Sequence, residues 1–302
     1  MRFSTILATT LILAAPNAAL AQADKKAPKP AANCTELLRS LDFIEATAET
    51  VIEDVANGCT VSNAYIGFGS YNRFRLGELT LQSPDLFTNY ASGSLPQELE
   101  LHIAGFQIAP DTGNLLNNYI FEVQAEPLDI HLAYRWDKQS GDLELADFSV
   151  TADDYGAIRL AGRVSGFNFD PNNMDDLTEI PGAFDQLALK VENAQFFSAM
   201  LVPSMLGFLP YDEDPRPLVA SYQQAAIAFV NGLPQSTISD DSKAALNTFI
   251  ESFPQPRGDY TLELRADPGL PFSTLDVDDL TAMLPLLANL QLAVTHAPSD
   301  QP

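Results

Sequence analysis

Few residues in this chain of 302 have the types and spacing to do chemistry. Two of its three histidines, His102 and His131, fall at outward positions of expected strands, next to Glu100 and Asp129. Imidazole with carboxylate is the donor set of a surface transition-metal site. Pairing of the two strands would bring all four side chains together. Polar residues on the solvent side of a sheet are the simpler expectation, so no metal ligand is assigned. His296 is expected in a solvated C-terminal tail. Asp170 to Glu179 (DPNNMDDLTE) gathers oxygen donors in one loop, as calcium sites do. It lacks glycine at the sixth place of the EF-hand pattern and has Met174 at the fifth. A solvated acidic loop is expected there.

Nucleophile chemistry has no signature either. There is no Gly-x-Ser-x-Gly elbow, no His-Glu-x-x-His, no phosphate loop and no zinc-spaced Cys/His set. The sequence therefore predicts a protein that is not an enzyme and carries no cofactor. Its two cysteines, Cys34 and Cys59, are not spaced as a Cys-x-x-Cys redox pair and are expected to form one structural disulfide.

The chain has 16 Lys+Arg against 40 Asp+Glu, a formal net charge of −24. That excludes a nucleic-acid partner, because neutralising phosphates needs clustered basic residues. Direct docking on anionic membranes is disfavoured by the same sign argument. With 46% hydrophobic residues the chain can bury a core, which excludes wholesale disorder.

Met1–Arg2 is basic, Phe3 to Ala15 is apolar, and small-residue cleavage patterns follow Pro16. Residues 1–23 are therefore predicted to be a secretory signal peptide, leaving a periplasmic protein with no transmembrane segment after cleavage. Residues 24–32 read as a Pro/Lys/Ala linker, 33–296 as a single α+β domain, and 297–302 as a disordered tail.

Cys34 to Leu41 reads as a helix capped by Asn33. Ala46 to Ala56 fits a helix or a strand; the hairpin reading, turning at Asn57-Gly58, is favoured. From there to residue 164 the pattern is strand after strand, with apolar residues alternating and then slipping phase. Slips are expected at Gly77, at Ala104–Gly105, at Pro127, between Leu145 and Phe148, and at Gly162. Tyr119, Phe121 and Val123 are read as part of a strand. So many slips predict a bent, mostly antiparallel sheet. From 194 to 253 the period becomes helical, and this section is expected to pack on the sheet. Strands over 260–264 and 290–294 close the domain, with a short helix over 278–284 between them.

Within the strand region, Leu143 to Phe167 (LELADFSVTADDYGAIRLAGRVSGF) resembles envelope proteins of the AsmA and YdgA type. Asp153, Gly156, Ile158, Leu160 and Gly162 supply their D-x-x-G-x-L-x-L-x-G strand pattern. The resemblance covers some 25 residues well and about 120 loosely. It implies a periplasmic, non-enzymatic protein with a curved β-groove, in a group linked to envelope and lipid homeostasis. This chain departs from the group in its expected lack of a membrane anchor and in its 194–253 helical section. No functional residue carries over.

The helical section supplies the site expectation. Phe196, Phe197, Met200, Leu201, Met205 and Phe208 are more apolar side chains than one helix face buries against a sheet. Either the segment is fully enclosed, which is the base expectation, or these residues line a groove for an apolar, lipid-like ligand, the hypothesis carried forward. The expected function is a non-catalytic, envelope-associated binding protein. The alternative is an interaction or scaffolding protein of the envelope, with a protein partner and no small ligand.

Overall fold

The structure is a computed structural model describing residues 31–41, 43–67, 72–88, 95–169, 180–192, 195–210, 212, 214–274 and 289–298. The signal peptide, most of the linker, the 170–179 loop and the 278–284 helix fall outside the described residues.

The first helix, α1 (Cys34–Arg39), is capped by Asn33, whose side chain accepts from Glu36 N–H. Eleven strands make one antiparallel sheet. They are β1 (Ile44–Glu45), β2 (Val51–Val55), β3 (Gly58–Gly67), β4 (Arg73–Gln82), β5 (Glu98–Ile108) and β6 (Leu128–Asp137). Then come β7 (Asp142–Ala152), β8 (Gly156–Ser165), β9 (Ala183–Glu192), β10 (Asp259–Pro271) and β11 (Leu290–Ala297). From β3 onward each strand pairs with the next in sequence, while β1 and β2 both pair with β3. The architecture is α+β and dominated by its sheet.

Val51–Val55 is indeed a strand. The loop joining it to β3 is Ala56–Asn57, with Asn57 at φ +57°. Gly58 is the first residue of β3, and a Cβ there would stand 2.0 Å from the Leu81 carbonyl oxygen.

The phase slips are located by register. Asn63, Gly77 and Gly105 lie abreast on β3, β4 and β5, and Asn63 and Gly105 have φ of +55° and +65°. Residues on either side of this line turn the same face inward, so Val61 and Ala64 are both buried, as are Leu76 and Leu79. A bulge in β7 between Leu145 and Phe148 does the same. Two expectations need correction. Alternation in β8 runs unbroken from Ile158 through Gly162 to Val164, and the irregularity lies at Asp185 of β9. The stretch Tyr119–Val123 is not strand but helix α2 (Leu115–Gln124). Asn114 caps it by accepting from Leu116 and Asn117 N–H, and Gln107 Nε2 donates to the Glu122 and Ala125 carbonyls at its far end. These end caps outweigh a short alternation that fits either period.

Alternation gives the sheet two unlike faces. On one, Ile52, Val61, Leu79, Ile103, Ile130, Val150, Ile158, Val191 and Tyr260 are successive cross-strand partners from β2 to β10. Two residues along, Leu81, Leu101, Leu132, Phe148, Leu160, Leu189, Leu262 and Val294 form a second apolar row, ending on β11. The opposite face carries Thr60, Thr80, His102, His131, Ser149, Arg159, Lys190 and Thr261.

Two bodies lie on the apolar face, one at each end. At the first, Leu38 of α1 joins Val61, Ala64, Leu76, Leu79 and Ile103 in a buried cluster. The Cys34–Cys59 disulfide ties α1 to β3, and Ala31, expected in the linker, is buried beside it. At the second, Phe196 packs with Ile158, Val191 and Tyr260, while Phe197, Leu201 and Phe249 adjoin. Here a π-turn (Phe197–Leu201) runs into α3 (Val202–Leu206), which has Pro203 in its first turn. The π-turn interrupts the α-helical ladder just ahead of Pro203. Two longer helices follow, α4 (Pro215–Gly232) and α5 (Asp240–Ser252). They cap one another: Gln223 Nε2 donates to the Ile250 and Phe253 carbonyls, and Lys243 Nζ to that of Leu233.

The α5 end also closes the last strand's edge. Ile238 bridges Leu292, Leu292 N–H donates to the Thr237 carbonyl at 2.7 Å, and Ser242 Oγ accepts from Val294 N–H. An edge satisfied in this way is no longer a template for another strand. His296 belongs to β11 rather than to a tail: its ring stacks on Tyr260 at 4.5 Å and Nε2 meets the Arg257 carbonyl at 3.0 Å. The strand runs on to Ala297.

Candidate functional site

Between the two covered ends, the apolar face is only half-buried. Leu101, Leu132, Phe148 and Leu160 of the second row keep part of their surface accessible. So do Leu99, Tyr134, Leu145 and Leu187 of a third row, which are cross-strand neighbours from β5 to β9 apart from Gly162 between the last two. Alternation on five adjacent strands, β5 to β9, thus builds an apolar trough that crosses them.

The six residues expected to line a groove divide. Phe196 is 4% exposed, and Phe197 and Leu201 pack beside it against the sheet cluster. Phe197 meets Phe249 edge-on at 5.0 Å, and Phe249 meets Tyr260 likewise at 5.0 Å. Met200, Met205 and Phe208 instead face outward, with Phe208 59% exposed. Leu189 adjoins this cluster and is the cross-strand partner of Leu160, so the segment borders the trough at β8 and β9. No single segment's sequence shows the trough, because it is a property of strand order and register.

A cleft of about 380 Å³ opens at the strand ends near the β2–β3 turn, with Asn57, Ser83, Leu99, Tyr134 and Arg135 among its walls. It is remote from the 195–208 segment in sequence and shares Leu99 and Tyr134 with the third row. Burial, with Asp85 nearby, pushes the Tyr134 phenol up, so it stays protonated.

Four of the polar-face residues meet near the centre of the sheet. His102 and His131 are direct cross-strand partners. Asp129 turns away to accept from Gly105 N–H at 3.0 Å. Asp147 of β7 takes its place, with Oδ2 2.7 Å from His131 Nδ1, and Glu100 Oε1 lies 3.5 Å from His131 Nε2. Among the described residues no group of three or more His, Cys, Asp or Glu side chains could hold a metal ion.

A third exposed feature is α2. Leu115, Leu116, Tyr119 and Val123 are each more than 60% exposed, and the helix buries no residue. No described helix is long and apolar enough to cross a membrane. Comparison with protein-family models, curated proteins and solved structures returned no match.

Proposed function

We propose that the protein is a non-catalytic binding protein of the cell envelope that takes an apolar, lipid-like ligand on the trough. The observation that carries this reading is the half-buried double row of leucines and aromatics across β5–β9, between ends that are closed. A soluble domain rarely leaves so continuous an apolar surface without an occupant. Phe196, Phe197 and Leu201 wall one end, and Met200, Met205 and Phe208 extend apolar surface beyond that wall. The disulfide fits an oxidising compartment. Together with the signal-peptide pattern it supports export to the periplasm. The likeness of Leu143–Phe167, now β7, its turn and β8, to AsmA and YdgA-type proteins supports the envelope setting.

The exposed apolar side of α2 favours a second reading, an interaction protein that docks a partner through that helix and holds no small ligand. Native mass spectrometry of the mature protein purified from periplasm, with organic extraction, separates the two. The first reading expects a stoichiometric apolar mass that extraction removes. A clean mass with nothing extractable overturns it and leaves the α2 partner to be sought.

A further inference from the structure

Exposed apolar surface gathers in two connections of the sheet. Alternate strands of an antiparallel sheet run the same way, so β5 and β9 finish at the same end. The connections that follow them, residues 109–127 and 193–258, leave that end about 19 Å apart at the usual strand spacing. Among the described residues, every exposed large apolar side chain except Val51 and Val55 of β2 lies between Ile108 and Val123 or between Met200 and Phe229. Charge is sparse in both stretches. Helix α2 has Glu122 alone, and residues 195–210 and 217–232 have no Asp, Glu, Lys or Arg, in a chain that is 19% charged.

Helix α2 is also turned the wrong way round for a helix that packs on its own domain. Leu115, Leu116, Tyr119, Ile120 and Val123 occupy an arc of about 140° at 100° per residue, and all five are exposed. The polar side faces the protein instead. Asn118, the one residue of the helix that is partly buried, accepts from Thr112 N–H and Oγ1. Glu122 lies 3.8 Å from Arg75 of β4, and Gln107 of β5 holds the last carbonyls. A surface helix ordinarily does the reverse and buries its apolar stripe.

We propose that α2 is a membrane-contact helix that lies in the head-group region of a zwitterionic bilayer, with its apolar arc immersed. The arc has no basic residue to pair with anionic lipid, and the net charge of −24 opposes approach to such a surface. Zwitterionic head groups carry no net charge and leave the apolar attraction unopposed. Tyr119 adds the amphipathic ring that sits well at head-group level. A second copy of the chain fits less well. A helix of 10 residues is about 15 Å long and 10 Å across, far short of the roughly 800 Å² per partner of a stable interface. A bilayer sets no such threshold, because each immersed side chain contributes by its own apolar area. The inference does not rest on the trough, and it gives α2 to lipid instead of to the protein partner of the second reading.

The test is co-sedimentation of the mature protein with phosphatidylcholine vesicles. Binding is expected, unchanged between about 0.1 and 0.5 M salt because no ion pair carries it, and weaker on vesicles that contain phosphatidylglycerol. Leu115→Ser/Leu116→Ser should lower the partition coefficient at least about tenfold, through the loss of two immersed leucines. Both side chains are exposed, so the variant should fold, which far-UV circular dichroism checks. Val51→Ser on the edge strand β2 and Leu132→Gln in the trough should bind as the wild type does. A loss with Leu132→Gln equal to that of the α2 variant places the binding in the trough and overturns the proposal. So does absence of wild-type binding at about 1 mM lipid, or a dimer in sedimentation that the α2 variant abolishes.

Discussion

The backbone N–H of Val294, on the outermost strand, donates to Ser242 Oγ at 3.0 Å, and Ser242 is 5% exposed. A helix side chain thus does what a neighbouring strand would do. Ser242→Ala leaves that N–H buried without an acceptor, a loss of about 1–3 kcal/mol. The expected outcome is a lower urea midpoint with unchanged slope, and greater concentration-dependent association because β11 regains a free edge. An unchanged midpoint would show that water replaces the hydroxyl.

Cys34 and Cys59 close a loop with a sequence separation of 25 and pin α1 over β3. In the chain-entropy account such a loop contributes about 3 kcal/mol. The Cys34→Ser/Cys59→Ser double variant should lose about that much in urea denaturation, and the wild type in reductant should match it. Both sulfurs sit in a buried cluster with Leu37 and Leu86, so the loss of packing falls on α1 first.

Leu132 lies at the middle of the second apolar row and is half-buried. Leu132→Gln should reduce uptake of an apolar fluorescent probe at least about tenfold while costing under about 1.5 kcal/mol of stability, since the side chain is not enclosed. Probe uptake equal to wild type, with folding intact, would remove the trough from the binding account.

Glu192 is held below the ordinary glutamate value of 4.5, first by its hydrogen bond from Lys190 and then by that from Arg159. A depressed carboxyl pKa stabilises the fold while the group is ionised in both states and ceases to do so once it is protonated in both. Its contribution is therefore complete above about pH 5 and declines as pH falls below 4.5. Because the pair is largely solvated the effect is at most about 1 kcal/mol. Glu192→Gln should lower the melting temperature slightly at pH 7 and not at all near pH 2, and raised salt should shrink the difference.

Much of this fold was legible in the sequence because alternation and turn chemistry are local. The strand spacing, the Asn33 cap and the hairpin into β3 each rest on a few adjacent residues, although the loop is Ala56–Asn57, one residue before the expected Asn57-Gly58. α2 was not legible, since Tyr119, Phe121 and Val123 satisfy a strand period as well as a helical one. What decides between them is Gln107, a residue on β5 that caps the helix from outside it. The site was legible only in pieces. His102, His131 and Glu100 were marked by their outward positions, but Asp147 enters through the β6–β7 register with its bulge. Phe196 and Phe208 both read as apolar helix, and only packing against Val191 and Tyr260 distinguishes the enclosed one from the exposed one.

From β3 to β9 every strand bonds to the one that precedes it in the chain. A polypeptide that emerges N-terminus first can therefore lay down its sheet in the order in which it arrives, each hairpin adding to a finished edge. Little loop-closure entropy opposes such growth. The exception is β9, whose partner β10 follows only after all of α3, α4 and α5. Until then its edge stands open, so β9 is the point at which a half-delivered chain is most exposed to joining a second copy.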